Sequence, residues 1–263
     1  MAERLTKLGV NVRIGSRSAS PAFDWEDPNT WQKAVEGVDF VYVSYHPDLA
    51  FEGAAEKVDA FAKVAVANGV RRLVLLSGRN EEGAQRGEKF IQNSGAEWTI
   101  IRASWFNQNF SENYLLEPVL AGQIPFPAGN VAEPFIDVND IVDIAVEALT
   151  TDKHVGKLYE VTGPRLLTFY DLAAEISKAT GREITYVPVS ITDYEAALLQ
   201  EGVPAEFAKE LIRLISAVMD GRSSQTTNGV QQALGRPARD FADYAKEIAA
   251  TGLWTPSTSS AHK

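Results

Sequence analysis

Short apolar blocks recur at regular intervals through the first half of the chain. "NVRIGSR" at 11–17, "DFVYVSY" at 39–45, "RRLVLLS" at 71–77 and "EWTIIRAS" at 97–104 are β-branched and apolar, and each predicts a strand. Between them lie amphipathic stretches: "NTWQKAVEG" at 29–37, "AFEGAAEKVDAFAKVAVANG" at 50–69 and "EGAQRGEKFIQNSG" at 82–95. "AERLTKLG" at 2–9 reads as the end of another helix. Buried strands separated by helices predict βαβ units around a parallel sheet covered on both faces. Gly37, Gly69 and Gly95 fall just past helix ends, as C′ residues do.

The rhythm changes after Ser104. "WFNQNFSENYLLEPVLAGQIPFPAGN" is long and aromatic, broken by Pro118, Pro125 and Pro127. "EPFIDVNDIVDIAVEALT" predicts a short strand, then a helix starting at Asn139 and Asp140; "GKLYEVTG" predicts another strand. The remainder reads as mostly helical. "TFYD" at Thr168–Asp171 and "SITD" at Ser190–Asp193 have the form of capping boxes, with Asp in place of Glu. In "VPAEFAKELIRLISAVMDG", Phe207, Leu211, Leu214, Ile215 and Val218 share one face, as core packing requires. The polar tail "TPSTSSAHK" is expected to be disordered. The fold class expected is α/β: a doubly wound parallel sheet, its first strand missing, with a smaller, mainly helical C-terminal domain. The larger domain takes 1–104 and 134–163, and the smaller one 105–133 and 164–263.

Composition narrows the functional classes. With 263 residues and a net charge of −10, the chain does not invite nucleic acid or a polybasic membrane contact. No segment has the apolar length of a membrane span or the form of a signal peptide. Cysteine is absent, which removes disulfides, thiolate metal sites and a cysteine nucleophile. His46, His154 and His262 are far apart and show no metal-ligand spacing. A cytoplasmic protein acting on a small molecule is the expectation, with a protein partner if it acts as a sensor. There is no G-x-S-x-G, and no histidine is placed to serve a serine.

In doubly wound sheets the ligand lies beyond the carboxyl ends of the strands. The chemistry is therefore expected just after Arg17, Tyr45, Ser77 and Ser104. An acid closing the second strand of a dinucleotide fold accepts from the ribose of NAD, whereas an arginine suits the 2′-phosphate of NADP. Here Arg17 stands between Ser16 and Ser18, with no acid until Asp24. That makes NADP the expected cofactor, with NAD as the other candidate. Ser44 and Tyr45 are placed beside adenine and pyrophosphate. Ser77 and Gly78 are placed near the nicotinamide, with Ser77 as the candidate catalytic residue. Trp105 and Phe106 are candidates for an apolar wall at the substrate, or for packing between domains. His46, before Pro47 in a loop, reads as a surface histidine.

"FDWED…TW", "VRRLVLLSGR", "GEKFIQNSGAEWTIIRASWFNQNFSE", "EPFIDVNDIVDIAVEAL" and "YEVTGPRLLTFYDLAAEI" together resemble the NmrA-like group of atypical short-chain dehydrogenase/reductases. The resemblance runs from residue 1 to about Trp254. It implies a Rossmann domain binding NADP or NAD and a small C-terminal domain closing over the substrate. Relatives of this kind include reductases of quinones, azo compounds and enone or imine-like substrates, and a nicotinamide-sensing regulator. The resemblance also implies that Ser77, Glu88 and the segment Ala103, Ser104, Trp105 and Phe106 line the cofactor site.

Two departures follow from the residues. None of the eight tyrosines has lysine four residues on, so the Tyr-x-x-x-Lys proton donor of short-chain dehydrogenases is missing. No two glycines lie closer than Gly83 and Gly87, so the chain holds no G-x-x-G-x-x-G turn to meet a pyrophosphate. A strand, that turn and half a helix, about fifteen to twenty residues by ordinary element lengths, are expected ahead of Met1. A start codon assigned too late would explain this, as would a genuine short form or an inactive truncated product. The missing strand is expected between the strands ending at Arg17 and Ser77.

Overall fold

The structure is a computed structural model that describes residues 1–256. Most of the polar tail, with His262, lies outside the described residues. In chain order the elements are α1 (Ala2–Lys7), α2 (Trp31–Val35), β1 (Phe40–Val43), α3 (Ala54–Ala67), β2 (Arg72–Gly78), α4 (Glu82–Gln92) and β3 (Glu97–Ala103). Next come α5 (Asn109–Glu112), α6 (Leu116–Ala121), β4 (Gln123–Phe126), α7 (Val138–Thr150), β5 (Lys157–Val161), α8 (Phe169–Thr180) and β6 (Thr185–Pro188). The chain finishes with α9 (Ile191–Gln200), α10 (Ala205–Val218), α11 (Gly229–Leu234) and α12 (Phe241–Thr251).

Two compact units result. The first holds 1–103, 139–161 and 228–236; among the described residues the second holds 104–138, 162–227 and 237–256. The sequence boundaries at 104, 134 and 163 differ from this chiefly at 228–236. The reason is steric. Gly229 at the head of α11 lies against the backbone of β5, where a Cβ would stand 2.1 Å from the Glu160 carbonyl oxygen.

In the first unit β1, β2, β3 and β5 form one parallel sheet in the order β1-β2-β3-β5. Leu73, Leu75 and Ile100 pack in one core with Val58 and Phe61 of α3 and Ile91 of α4. Val74 and Ile101 point to the opposite face and are fully buried too. Both faces are thus covered, which is why these strands read as unbroken apolar runs. Gly37, Gly69 and Gly95 adopt positive φ after α2, α3 and α4, in the left-handed conformation that ends helices.

Residues 11–17 do not form the expected strand. A strand exists by pairing, and no ladder reaches this segment. Ile14 is 62% exposed rather than buried. The segment is held instead by Arg13, whose guanidinium donates to the carbonyls of Ala34 and Glu36 at 3.0 and 2.8 Å. These are end carbonyls of α2, where a cation is favoured. The expected place of a further strand is also corrected. β2 is paired on both sides, with β1 and β3, so no strand can enter beside the one ending at Ser77. Among the described residues the edges without a strand partner are β1 and β5.

The second unit has its own core around Phe110, Phe126, Phe135, Phe169, Phe241 and Trp254. Phe126 and Phe169 stack with centroids 4.6 Å apart. β4 and β6 pair in parallel, which the sequence reading missed. The strand expected within 133–137 is only a pair of isolated bridges, Phe106 with Ile136 and Glu133 with Leu167. The Thr168–Asp171 capping box forms in full. At Ser190 the hydroxyl caps the Asp193 amide at 3.0 Å. Along α10, Ile215 and Val218 are buried as expected, but Phe207 stays 40% exposed.

Candidate functional site

Parallel strands present their carboxyl ends at one edge of the sheet. Ser77, Arg102 and Glu160 are register neighbours across β2, β3 and β5, so their side chains share a face. Glu88 of α4 meets this row. Ser77 Oγ donates to Glu88 Oε1 at 2.6 Å. Arg102 Nε donates to the same oxygen at 2.8 Å, and its Nη2 donates to Glu88 Oε2. Arg79 Nε donates to Glu160 Oε1 at 2.6 Å, and Arg102 Nη1 lies 3.5 Å from Glu160 Oε2. Ser77, Arg79 and Glu88 are all buried. Two guanidinium groups thus face two carboxylates, which compensates the buried charges of Arg79 and Glu88 with half-buried partners. The hydrogen bond to Glu88 raises the Arg102 pKa further, against the opposing effect of burial. Ser77 has one proton, and it is committed to Glu88.

Glu81 stands apart from this balanced network. It is the N-cap residue of α4, reached from β2 through Asn80 in a left-handed conformation. Its carboxyl folds back over Gly78, the last residue of β2. A Cβ on Gly78 would lie 1.7 Å from Glu81 Oε2. Burial first, and the negative charges of Asp48 and Glu88 second, raise the Glu81 pKa well above the usual carboxylate range. The loop carrying Asp48 is drawn close by two glycines of α4: Gly83 would place a Cβ 2.8 Å from the Ala50 carbonyl, and Gly87 sits against Leu49.

At the other end of the expected site, Arg17 is exposed. Among the described residues its guanidinium makes no hydrogen bond or ion pair. The Ser16 and Ser18 hydroxyls lie 3.3 Å apart beside it. The Ser16 carbonyl accepts from the Ala19 and Phe23 amides, which turns the chain here. Ser44 and His46 are exposed. The Tyr45 ring lies 4.9 Å from Trp25, in a cluster with Phe23, Trp31 and Phe61. Glu26 first, and Tyr45 after it, raise the Lys57 pKa.

Ala103 closes β3 and is buried. Ser104, Trp105 and Phe106 belong to the second unit. Ser104 Oγ donates to the Pro134 carbonyl at 2.6 Å. Trp105 packs edge-on against Phe126, and Phe106 bridges to Ile136. His154 is buried at the opposite end of β5 from Val161, between Tyr159 at 2.9 Å and Glu147 at 3.1 Å.

Sequence reasoning missed Asp48, Arg79, Glu81, Arg102 and Glu160. The signal available was the charge density of "SGRNEEG" after a buried strand, since exposed turns rarely need it there. Among the described residues no helix is long and apolar enough to cross a membrane, and no group of three or more His, Cys, Asp or Glu could hold a metal ion.

Known proteins similar to this one include the following three. An NAD(P)H azoreductase of Xenophilus azovorans is 32% identical over 260 residues, covering 95% of this chain and 86% of the relative. Prestalk A differentiation protein A of Dictyostelium discoideum is 29% identical over 259 residues, covering 92% and 85%. The crystal structure of an NADPH-dependent quinone oxidoreductase from Escherichia coli, complexed with NADPH, superposes with a TM-score of 0.73 at 23% identity, over 94% of this chain and 86% of that one. That likeness shows the Rossmann-type fold of NAD(P)-binding reductases. The description of the NmrA-like family matches residues 2–246, and the chain belongs to that family.

Proposed function

We propose that this chain is an NADP(H)-dependent oxidoreductase that passes a hydride from the nicotinamide to a small unsaturated acceptor of quinone, azo or iminium type. The observation that carries the cofactor reading is Arg17. It is an uncommitted cation flanked by two hydroxyls, where a planar guanidinium and short donors suit a phosphate. In this reading Arg17, Ser16 and Ser18 hold the 2′-phosphate, and Ser44 and Tyr45 lie beside the adenosine. Ser77, Gly78, Glu88 and Ala103 border the nicotinamide, and Ser104, Trp105 and Phe106 follow directly in the chain. The bound nicotinamide supplies the hydride. The protein orients it and dries its surroundings, and the buried ion network keeps the strand ends rigid.

The acceptor class follows from what the site lacks. There is no Tyr-x-x-x-Lys, and the Ser77 proton is engaged by Glu88. A quinone, whose reduced form is a stabilised anion, and an iminium, which hydride addition leaves neutral, need no donor of that kind, whereas a simple ketone does. The same lack supports a second reading, a sensor that binds the dinucleotide and consumes none.

Cofactor titration and turnover test both. NADPH is expected to bind more tightly than NADH, and Arg17→Ala to weaken NADPH by roughly ten- to a hundred-fold while sparing NADH, as a charge-assisted contact of about 1.5–3 kcal/mol implies. Equal losses for both cofactors would remove Arg17 from the 2′-phosphate. NADPH oxidation with a quinone separates the reductase from the sensor.

A further inference from the structure

The strand-end groups divide into those that are committed and one that is not. Ser77 gives its proton to Glu88, and Glu88 is ion-paired with Arg102. Arg79 and Glu160 pair with each other. The Tyr45 ring is fixed in the aromatic cluster around Trp25. Glu81 alone in this group makes no side-chain hydrogen bond or ion pair among the described residues. Its carboxyl rests on the bare Cα of Gly78, at the carboxyl end of the central strand β2.

We propose that the Glu81 carboxyl is the proton donor of the reduction. The claim rests on the reductase reading above and adds a catalytic residue to it. The groups facing Glu81 are Asp48, from the loop after β1, and Glu88, from α4. Both are acidic, and the Arg102 guanidinium is already engaged by Glu88. Such surroundings favour the protonated form of the half-buried carboxyl, because ionising it would add a third negative charge beside Asp48 and Glu88. Gly78 is what makes room for it; any side chain there would displace the carboxyl.

The step balances. A hydride leaves the reduced nicotinamide dinucleotide, which is thereby oxidised, and adds to the conjugated acceptor. The electron pair displaced from the acceptor's double bond collects on an oxygen or nitrogen. The O–H bond of Glu81 breaks, a new O–H or N–H bond forms on the acceptor, and the Glu81 carboxylate recovers a proton from water. Acceptors differ in how much they need this. The anion from a quinone is a weak base that water can protonate, whereas the nitrogen anion from an azo compound is a strong one.

Two measurements on the intact chain decide it. Infrared difference spectra of the protein without cofactor, wild type against Glu81→Gln, should show a protonated carboxyl band at pH 7 that the variant lacks. An identical carboxyl region in both proteins overturns the proposal. With NADPH, Glu81→Gln should lower kcat for an azo acceptor by about a hundred-fold or more and leave a quinone within a few-fold, the scale of losing one proton donor. Gly78→Ala, which pushes the carboxyl aside, should reproduce that split. Wild-type activity with an unchanged azo rate in Glu81→Gln overturns the donor role alone. Failure of the wild type to oxidise NADPH with any acceptor overturns the reductase reading and the donor role together.

Discussion

Glu81, the N-cap of α4, and Glu88, within that helix, lie seven residues apart and meet opposite electrostatic fates. Glu88 finds Arg102 and Ser77; Glu81 finds only burial and two other acids. The consequence for stability has a definite sign. The folded pKa of Glu81 is raised above the unfolded value of about 4.3, so between the two the folded state binds more protons. Stability from this group is complete below the unfolded value and declines as pH rises toward the folded one. Glu81→Gln removes the titration. The variant should match the wild type near pH 4 and become progressively the more stable protein as pH rises, read from urea midpoints. A constant difference across that range would mean that Glu81 ionises normally. None of this was legible in sequence. Ser77 and Gly78 could be placed at a strand end by counting, whereas Glu88, inside α4, was implied only by the family resemblance. That Ser77 would spend its proton on Glu88, and that Arg102 would stand beside Glu160, depends on register between strands distant in the chain.

Among the elements, those with a local signal, helix caps and apolar strand runs alike, were readable, whereas whether a given run would find a partner was not. The helix starting at Thr168 announces itself by a capping residue, and the structure has both halves of the box, with the Thr168 hydroxyl accepting from the Asp171 amide at 3.2 Å. Thr168→Ala should cost about 1 kcal/mol, measured by chemical denaturation, while Thr168→Ser should cost little because the oxygen is retained. Similar losses for both would point to packing of the methyl group instead. By contrast, "NVRIGSR" has every local property of a strand and lacks a partner. β4 was obscured by Pro125, which reads as a breaker. It is tolerated because β4 pairs on one side only, with β6, and an edge strand can do without one amide donor.

For the whole molecule, the periodic apolar runs conveyed a parallel sheet, since burial on both faces is written into consecutive residues of each strand. The order of those strands was not written there. It came out as β1-β2-β3-β5, and it creates an asymmetry between the two edges of the sheet. The β5 edge is closed off by α11, whose Gly229 touches the Glu160 backbone. The β1 edge has no strand partner among the described residues, and the 10–17 segment, with Val10 and Ile14 exposed, forms no ladder on it. An open parallel edge leaves half of a strand's backbone groups to water and makes local opening easy. Amide hydrogen exchange should therefore be slowest in β2 and β3 and markedly faster in Phe40–Val43, although Val43 is as deeply buried as the central residues. Burial and pairing thus make opposite forecasts for Val43. Fast exchange there would establish that the edge is open in solution, while protection equal to that of β2 would mean that another strand pairs with β1.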